Sequence, residues 1–124
     1  MLKVNHHIGW LVLNNNQIGN DGATALADAL EVNQGVKHLI LADNHIEDDG
    51  VIAIADALKR NRSVQSLCIQ GNPFGDEGLR ALISLCQHST TLQKLDCRDI
   101  KDASPSLLRQ LSDICKAKKI CFAS

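Results

Sequence analysis

The sequence contains very few aromatic residues. Tyrosine is absent, and Phe, Trp and Tyr together account for 2% of the 124 residues, whereas apolar residues of all kinds account for 44%. Any core must therefore be built from Leu, Ile, Val, Ala and Cys. Because the charged fraction of 22% is typical of folded domains, we expect a single globular domain with an aliphatic core.

An excess of charge of one sign is also missing. The formal net charge is −1, so no basic field would attract nucleic acid. No apolar stretch approaches the roughly 18 residues that a membrane-spanning helix needs, and the first residues do not follow the pattern of a signal peptide. These absences predict a cytoplasmic protein with neither a nucleic-acid nor a membrane partner.

Recognisable catalytic and metal-binding motifs are absent as well. The five cysteines are odd in number and include no C-x-x-C pair, which indicates reduced thiols rather than a disulfide framework or a zinc site. The histidines show no H-E-x-x-H spacing, and no glycine-rich loop is followed by Lys-Ser or Lys-Thr. We therefore expect no enzyme activity, no catalytic residues, no metal and no cofactor.

What the sequence does contain is a repeat. Four leucines stand 28 residues apart, at Leu11, Leu39, Leu67 and Leu95. The same interval relates three asparagines, Asn16, Asn44 and Asn72, and three glycines, Gly22, Gly50 and Gly78. Each unit begins with apolar residues in alternation and continues with apolar residues at i, i+3, i+4 and i+7. The pattern predicts a short strand followed by a helix of about three turns in every unit.

Polar residues mark where the helices should start. Asn20, Asp48, Asp76 and Ser104 share one position of the repeat, and Pro105 follows the last of them. We expect these four side chains to cap the N–H groups at the start of their own helices. The three repeated asparagines should instead point inward and bond the backbone of the neighbouring turn.

The stretch Leu11-Val12-Leu13-Asn14-Asn15-Asn16-Gln17-Ile18-Gly19, with Gly22 and Leu26 to Leu30 after it, resembles the ribonuclease-inhibitor type of leucine-rich repeat. That type is known in NOD-like receptors and Ran GTPase-activating protein, and the resemblance covers about nine-tenths of the chain. It implies an α/β solenoid, a curved right-handed β-α superhelix. The parallel sheet should form its concave face and the helices its convex face.

The repeat also predicts how the chain is divided. We expect one leucine-rich repeat domain over residues 1–124, with 1–7 as the tail of an incomplete repeat, 8–35, 36–63 and 64–91 as full repeats, 92–119 as a degenerate capping repeat and 120–124 as the start of a further strand or a tail. In the fourth unit Ile100 replaces the asparagine and Gln110 replaces a core leucine, which suits a polar end cap. The abrupt start indicates either a fragment of a longer solenoid or an N-terminal edge open to self-association.

The last four residues have a second interpretation. Cys121-Phe122-Ala123-Ser124 has the form of a prenylation box with lysines before it. Alanine fits the third place poorly, however, and Ile120 shares the repeat position of Val36 and Val64. We therefore expect a fifth strand here, and membrane attachment only if Cys121 is prenylated.

The residues that flank the inward leucines should form the candidate binding site. They predict three columns on the concave face: Trp10, His38, Ser66 and Lys94; Val12, Ile40, Cys68 and Asp96; and Asn14, Ala42, Gln70 and Arg98. Exposed apolar residues with a polar rim mark interfaces, so we expect a protein partner of unknown identity. Three alternatives stay open: a GTPase regulator of the Ran GTPase-activating type, an enzyme inhibitor, and a Trp10 that merely covers an end strand.

Overall fold

The computed structural model describes residues 9–32, 34–100 and 103–123, in which short strands alternate with helices. The strands are β1 (Trp10–Val12), β2 (His38–Ile40), β3 (Ser66–Cys68), β4 (Lys94–Asp96) and β5 (Cys121–Ala123). The helices are α1 (Gly19–Val32), α2 (Asp48–Arg60), α3 (Asp76–His88) and α4 (Pro105–Ala117). None of the helices in these ranges is long and apolar enough to cross a lipid bilayer.

The five strands form one parallel sheet in sequence order. The repeated leucines stand opposite one another, Leu11 beside Leu39, Leu39 beside Leu67 and Leu67 beside Leu95. Each helix packs against the next one along the chain. The chain is therefore a solenoid with the parallel sheet on its concave face and the helices on its convex face, as the repeat predicts.

Aliphatic side chains fill the space between the sheet and the helices. Leu39, Leu67 and Leu95 from the strands meet apolar residues of the helices, such as Leu30 and Leu82, and all five are at most 1% exposed. Burial of this continuous apolar layer is the main force that holds successive units together, because no unit can bury its own apolar face alone.

The repeated asparagines tie each loop to the one before it. Asn72 accepts hydrogen bonds at Oδ1 from the N–H groups of Asn44 (2.8 Å) and Ile46 (3.1 Å), and its Nδ2 donates to the Leu41 carbonyl at 2.9 Å. Asn44 makes two of these contacts one repeat earlier: its Oδ1 accepts the N–H of Asn16 at 2.7 Å, and its Nδ2 donates to the Leu13 carbonyl at 2.7 Å. The predicted asparagine ladder is confirmed for these two residues, which are completely buried. Asn16 is exposed.

The expected capping side chains are present, but they cap the helix of the following unit. Asn20 Oδ1 accepts the N–H groups of Glu47 (2.9 Å) and Gly50 (3.1 Å), which belong to the start of α2. Asp48 Oδ1 accepts those of Gly75 (2.7 Å) and Gly78 (2.9 Å) at the start of α3.

Asp76 Oδ1 accepts the N–H of Ser104, the N-cap residue of α4, at 2.9 Å. The prediction that these side chains cap their own helices was wrong, because stacking brings each one over the next helix. The Ser104 side chain makes no cap hydrogen bond either. Glycine at the third helical position leaves room for the cap, since a Cβ at Gly50 would lie 2.8 Å from Asn20 Oδ1.

The fourth unit departs from the 28-residue frame. Seven residues separate β3 from α3, whereas eight separate β4 from α4, so α4 is shifted by one position. Leu111 therefore takes the place of Leu82 in the core, and Gln110 is exposed beside it. The expectation that Gln110 replaces a core leucine was wrong for this reason. The interpretation of this unit as an end cap stays a prediction.

Helix α4 also ends differently from α2 and α3. Lys119 adopts a left-handed conformation (φ 59°), and the N–H of Ile120 reaches back to the Cys115 carbonyl at 2.7 Å, which is a Schellman motif. This tight ending leads directly into β5, so the predicted fifth strand is confirmed. The connection from α4 to β5 is shorter than the connection from α3 to β4. Cys121 therefore lies opposite Lys94, in the column of Trp10, whereas the 28-residue frame predicts that it lies opposite the residue before Lys94.

Candidate functional site

The first predicted column runs across the sheet in register. Trp10, His38, Ser66 and Lys94 occupy opposite positions on successive strands. Trp10 is 63% exposed and stacks on the His38 ring with a centroid distance of 4.0 Å and an angle of 26° between the planes. His38 Nδ1 forms a hydrogen bond with Ser66 Oγ, and Ser66 is largely buried by it. Three side chains of the column, Trp10, His38 and Ser66, are therefore linked to one another, and Lys94 lies next to Ser66 in the register.

The second column changes from apolar to charged along the sheet. Val12 is 56% exposed, Ile40 and Cys68 are half-buried, and Asp96 is largely buried on β4. Arg98 donates to both carboxylate oxygens of Asp96, from Nε at 3.0 Å and from Nη2 at 2.8 Å. Burial of Asp96 opposes its ionisation, but the hydrogen bonds and charge of Arg98 outweigh burial, so the pKa of the carboxyl lies below its ordinary value.

The third column lies in the loops that follow the strands. Asn14 and Arg98 are exposed and Gln70 is half-buried, whereas Ala42 is only 8% exposed. Asn14 Oδ1 accepts the Ala42 N–H at 2.8 Å, and Arg98 Nη2 donates to Gln70 Oε1 at 3.2 Å. Ala42 therefore offers almost no surface to a partner, while the other three residues form a polar border.

The first two columns line a groove of about 390 Å³ on the concave face. Seven of the predicted residues contribute to it: Trp10, His38, Ile40, Ser66, Cys68, Lys94 and Asp96. Gln65 and Gln93 also line it, and sequence reasoning left them out of the site.

A feature of the backbone explains why these two glutamines were missed. The N–H groups of Gln65 and Ser66 both bond the carbonyl of Lys37, and those of Gln93 and Lys94 both bond the carbonyl of Gln65. In a regular parallel ladder each carbonyl accepts one N–H, so two successive donors on one acceptor interrupt the regular bonding where the strand begins. At the starts of β3 and β4 this irregular bonding lies at Gln65 and Gln93, the two residues that join the groove.

The five cysteines differ in burial. Cys86 and Cys97 are buried, Cys68 is half-buried in the groove, and Cys121 is exposed. Burial raises the pKa of the Cys68 thiol, and the nearby Asp96 charge raises it further. Within the ranges that the structure describes, no cluster of three or more His, Cys, Asp or Glu side chains could hold a metal ion.

Comparisons with known proteins agree with this architecture. The family model described as "Leucine Rich repeat" matches residues 4–27, 32–55 and 60–82. Among solved structures, the leiomodin-1 actin-binding site 2 superposes with a TM-score of 0.81 and 24% identity, over 91% of this chain and 68% of the other. No curated protein matches the sequence significantly. With three matched repeats and a parallel solenoid, the chain belongs to the leucine-rich repeat family.

Proposed function

We propose that this chain is a protein-interaction module whose concave groove binds a segment of a partner protein. The observation that carries the proposal is the groove itself, with an exposed tryptophan and valine at one end and charged residues at the other. Exposed apolar side chains beside a polar border are typical of interfaces, and tryptophan is enriched among the residues that dominate binding energy.

The apolar end favours an apolar side chain of the partner. Trp10 and Val12 lie side by side on β1, and Ile40 continues the surface onto β2. Because Trp10 is already stacked on His38, its orientation is set before binding, which lowers the entropy cost of ordering it.

The opposite end favours a carboxylate. Among the described residues Lys94 forms no ion pair, whereas the Asp96 charge is matched by Arg98. Lys94 is exposed, so its ammonium group is accessible to a carboxylate of the partner. Trp10 and Lys94 lie three strands apart, and at a spacing of about 4.8 Å between neighbouring strands this is a distance of about 14 Å. An extended partner segment with an apolar and an acidic side chain about four residues apart would reach both.

The finer family assignment is also a proposal. The repeat length of 28 residues and a full helix in each unit support the ribonuclease-inhibitor type of leucine-rich repeat, with the repeat boundaries 8–35, 36–63, 64–91 and 92–119. GTPase regulation and enzyme inhibition stay alternatives, in which the partner is a small GTPase or an enzyme. Actin is the first partner to test, because the leiomodin-1 domain with this fold is an actin-binding site.

The test measures binding to actin, and to proteins captured from native extract, by wild type and two variants. Trp10→Ala should weaken binding by about 2 kcal/mol, roughly 30-fold in Kd, with little change in melting temperature. Lys59→Glu on the exposed face of α2 is the control and should bind as wild type does. If the Trp10 variant binds at full strength and the Lys59 variant loses binding, the interface lies on the helices instead.

A further inference from the structure

Two buried thiols face each other between the last two helices. Cys86 on α3 and Cys115 on α4 have their Sγ atoms 3.8 Å apart, within hydrogen-bond distance for sulfur, and both residues are 0% exposed. A disulfide bond needs the two sulfurs at about 2.0 Å. The pair must therefore close by about 1.8 Å, which side-chain rotation and a small shift of α4 can supply.

A third buried thiol belongs to the same layer. Cys97 follows β4 and is 1% exposed, and its pKa is raised to about 12, first by burial and then by the charges of Asp96 and Cys115. Cys97 therefore stays protonated in neutral solution. The remaining cysteines, Cys68 and Cys121, lie on the concave strands, on the other side of the sheet from the pair.

The two thiols of the pair differ in their ionisation. The hydrogen bond between them raises the pKa of Cys86 and lowers that of Cys115, while burial raises the former further and opposes the latter effect. Cys115 is therefore the thiol of the pair that ionises first. A thiolate is the form of cysteine that attacks an oxidant.

We propose that Cys86 and Cys115 are a redox site at which a peroxide forms a reversible disulfide that fastens α4 to α3. The Cys115 thiolate attacks one oxygen of hydrogen peroxide, the O–O bond breaks, and the departing hydroxide is protonated to water, which leaves a sulfenic acid on Cys115. The Cys86 sulfur, on losing its proton, attacks the Cys115 sulfur, and the S–O bond breaks. The hydroxide released combines with that proton, so two thiols are oxidised and one peroxide becomes two waters.

The weak attachment of α4 gives the oxidant access. Helix α3 buries six residues, whereas α4 buries only Leu111 and Cys115. In the described structure α4 packs against a single helix, α3, and against β5. Local opening is easiest where few apolar side chains are buried, so α4 should detach transiently and admit a molecule as small as hydrogen peroxide. The bond, once formed, would prevent that opening.

The experiment exposes the native protein to hydrogen peroxide, digests it without reductant and maps the cross-linked peptides by mass spectrometry. We expect a Cys86–Cys115 link that dithiothreitol reverses. The oxidised protein should melt higher by about 5 °C or more and should show slower amide exchange in α4. The Cys97→Ser variant is the matched control and should keep both the link and the rise in melting temperature.

Cys115→Ser should lose the link and the rise together, and Cys86→Ala tests the other partner with a side chain that fits an apolar core. A link that uses Cys97, sulfinic acid on Cys86 or Cys115 without any link, or thiols that survive peroxide unchanged would each overturn the proposal. A Cys86–Cys115 link without slower exchange in α4 would show that the bond does not fasten the helix.

Discussion

The second and third repeats differ from the fourth unit in where their polar groups find partners. Buried Asn44 and Asn72 bond the loop of the preceding repeat, and Asp48 caps the helix of the following one. In the fourth unit Ile100 replaces the asparagine, and the Schellman motif that ends α4 uses only carbonyls of α4 itself. An interior repeat thus takes its stability from both neighbours, whereas the fourth unit relies more on contacts within itself.

The same contrast appears on the concave face. The second column is apolar at Val12 and Ile40, and it ends at Asp96, whose charge is balanced by Arg98 within the same unit. A charged pair of this kind is less costly where solvent reaches one of its partners. Arg98 is indeed exposed.

The largest effect should come from a matched pair of leucines in α3 and α4. Leu79 is 0% exposed, and Leu108, which holds the equivalent place once the one-residue shift of α4 is counted, is half-buried. Leu79→Ala should destabilise the domain by about 3 kcal/mol and Leu108→Ala by about 1 kcal/mol, because the cost follows the area and cavity left behind. Urea unfolding measures both, and equal losses would contradict the contrast between the units.

A smaller effect is expected from the asparagine ladder. Asn44→Ala removes the acceptor for the Asn16 N–H and the donor to the Leu13 carbonyl, and it leaves buried polar groups unpaired. We expect a loss of about 2 kcal/mol. Asn16→Ala is the matched control, because its exposed side chain bonds, among the described residues, only the nearby Asn14 carbonyl, and its backbone N–H is kept in the variant. Thermal melting of the two variants should separate them, and coincident curves would refute the ladder account.

The smallest effect concerns the caps that cross repeat boundaries. Asp48→Ala removes both acceptor contacts at the start of α3 and should cost about 1 kcal/mol. Asp76→Ala removes a single contact, with Ser104, and should cost less. Hydrogen exchange can show which helix responds: the first amides of α3 should exchange faster in the Asp48 variant. Faster exchange at the start of α2 instead would show that Asp48 caps its own helix.

Much of the fold was predictable because the repeat fixes it locally. Once leucines recur every 28 residues, the parallel strands must stack with equal positions opposite each other, so the register of Trp10, His38, Ser66 and Lys94 followed from the sequence. The place of Cys68 opposite Ile40 followed in the same way.

Features that depend on how units stack could not be predicted. Asp48 is a good cap for any nearby helix, and only the three-dimensional offset between repeats decides which helix it reaches. The irregular bonding at Gln65 and Gln93, which line the groove, has no signal in residue type, since it consists of backbone bonds. The shift of α4, which moves Leu111 into the core, requires knowledge of loop length that a fixed period conceals.

The caps that cross repeat boundaries also bear on how such a gene can change in length. Asn20 and Asp48 present the same acceptor oxygen to the same two amides of the following unit. Deleting residues 36–63 would therefore join Asn20 to Gly75 and Gly78 through an unaltered junction. Duplication or loss of a whole 28-residue unit among the first three repeats therefore preserves these two-contact caps, whereas an insertion of another length would separate the acceptor from its donors.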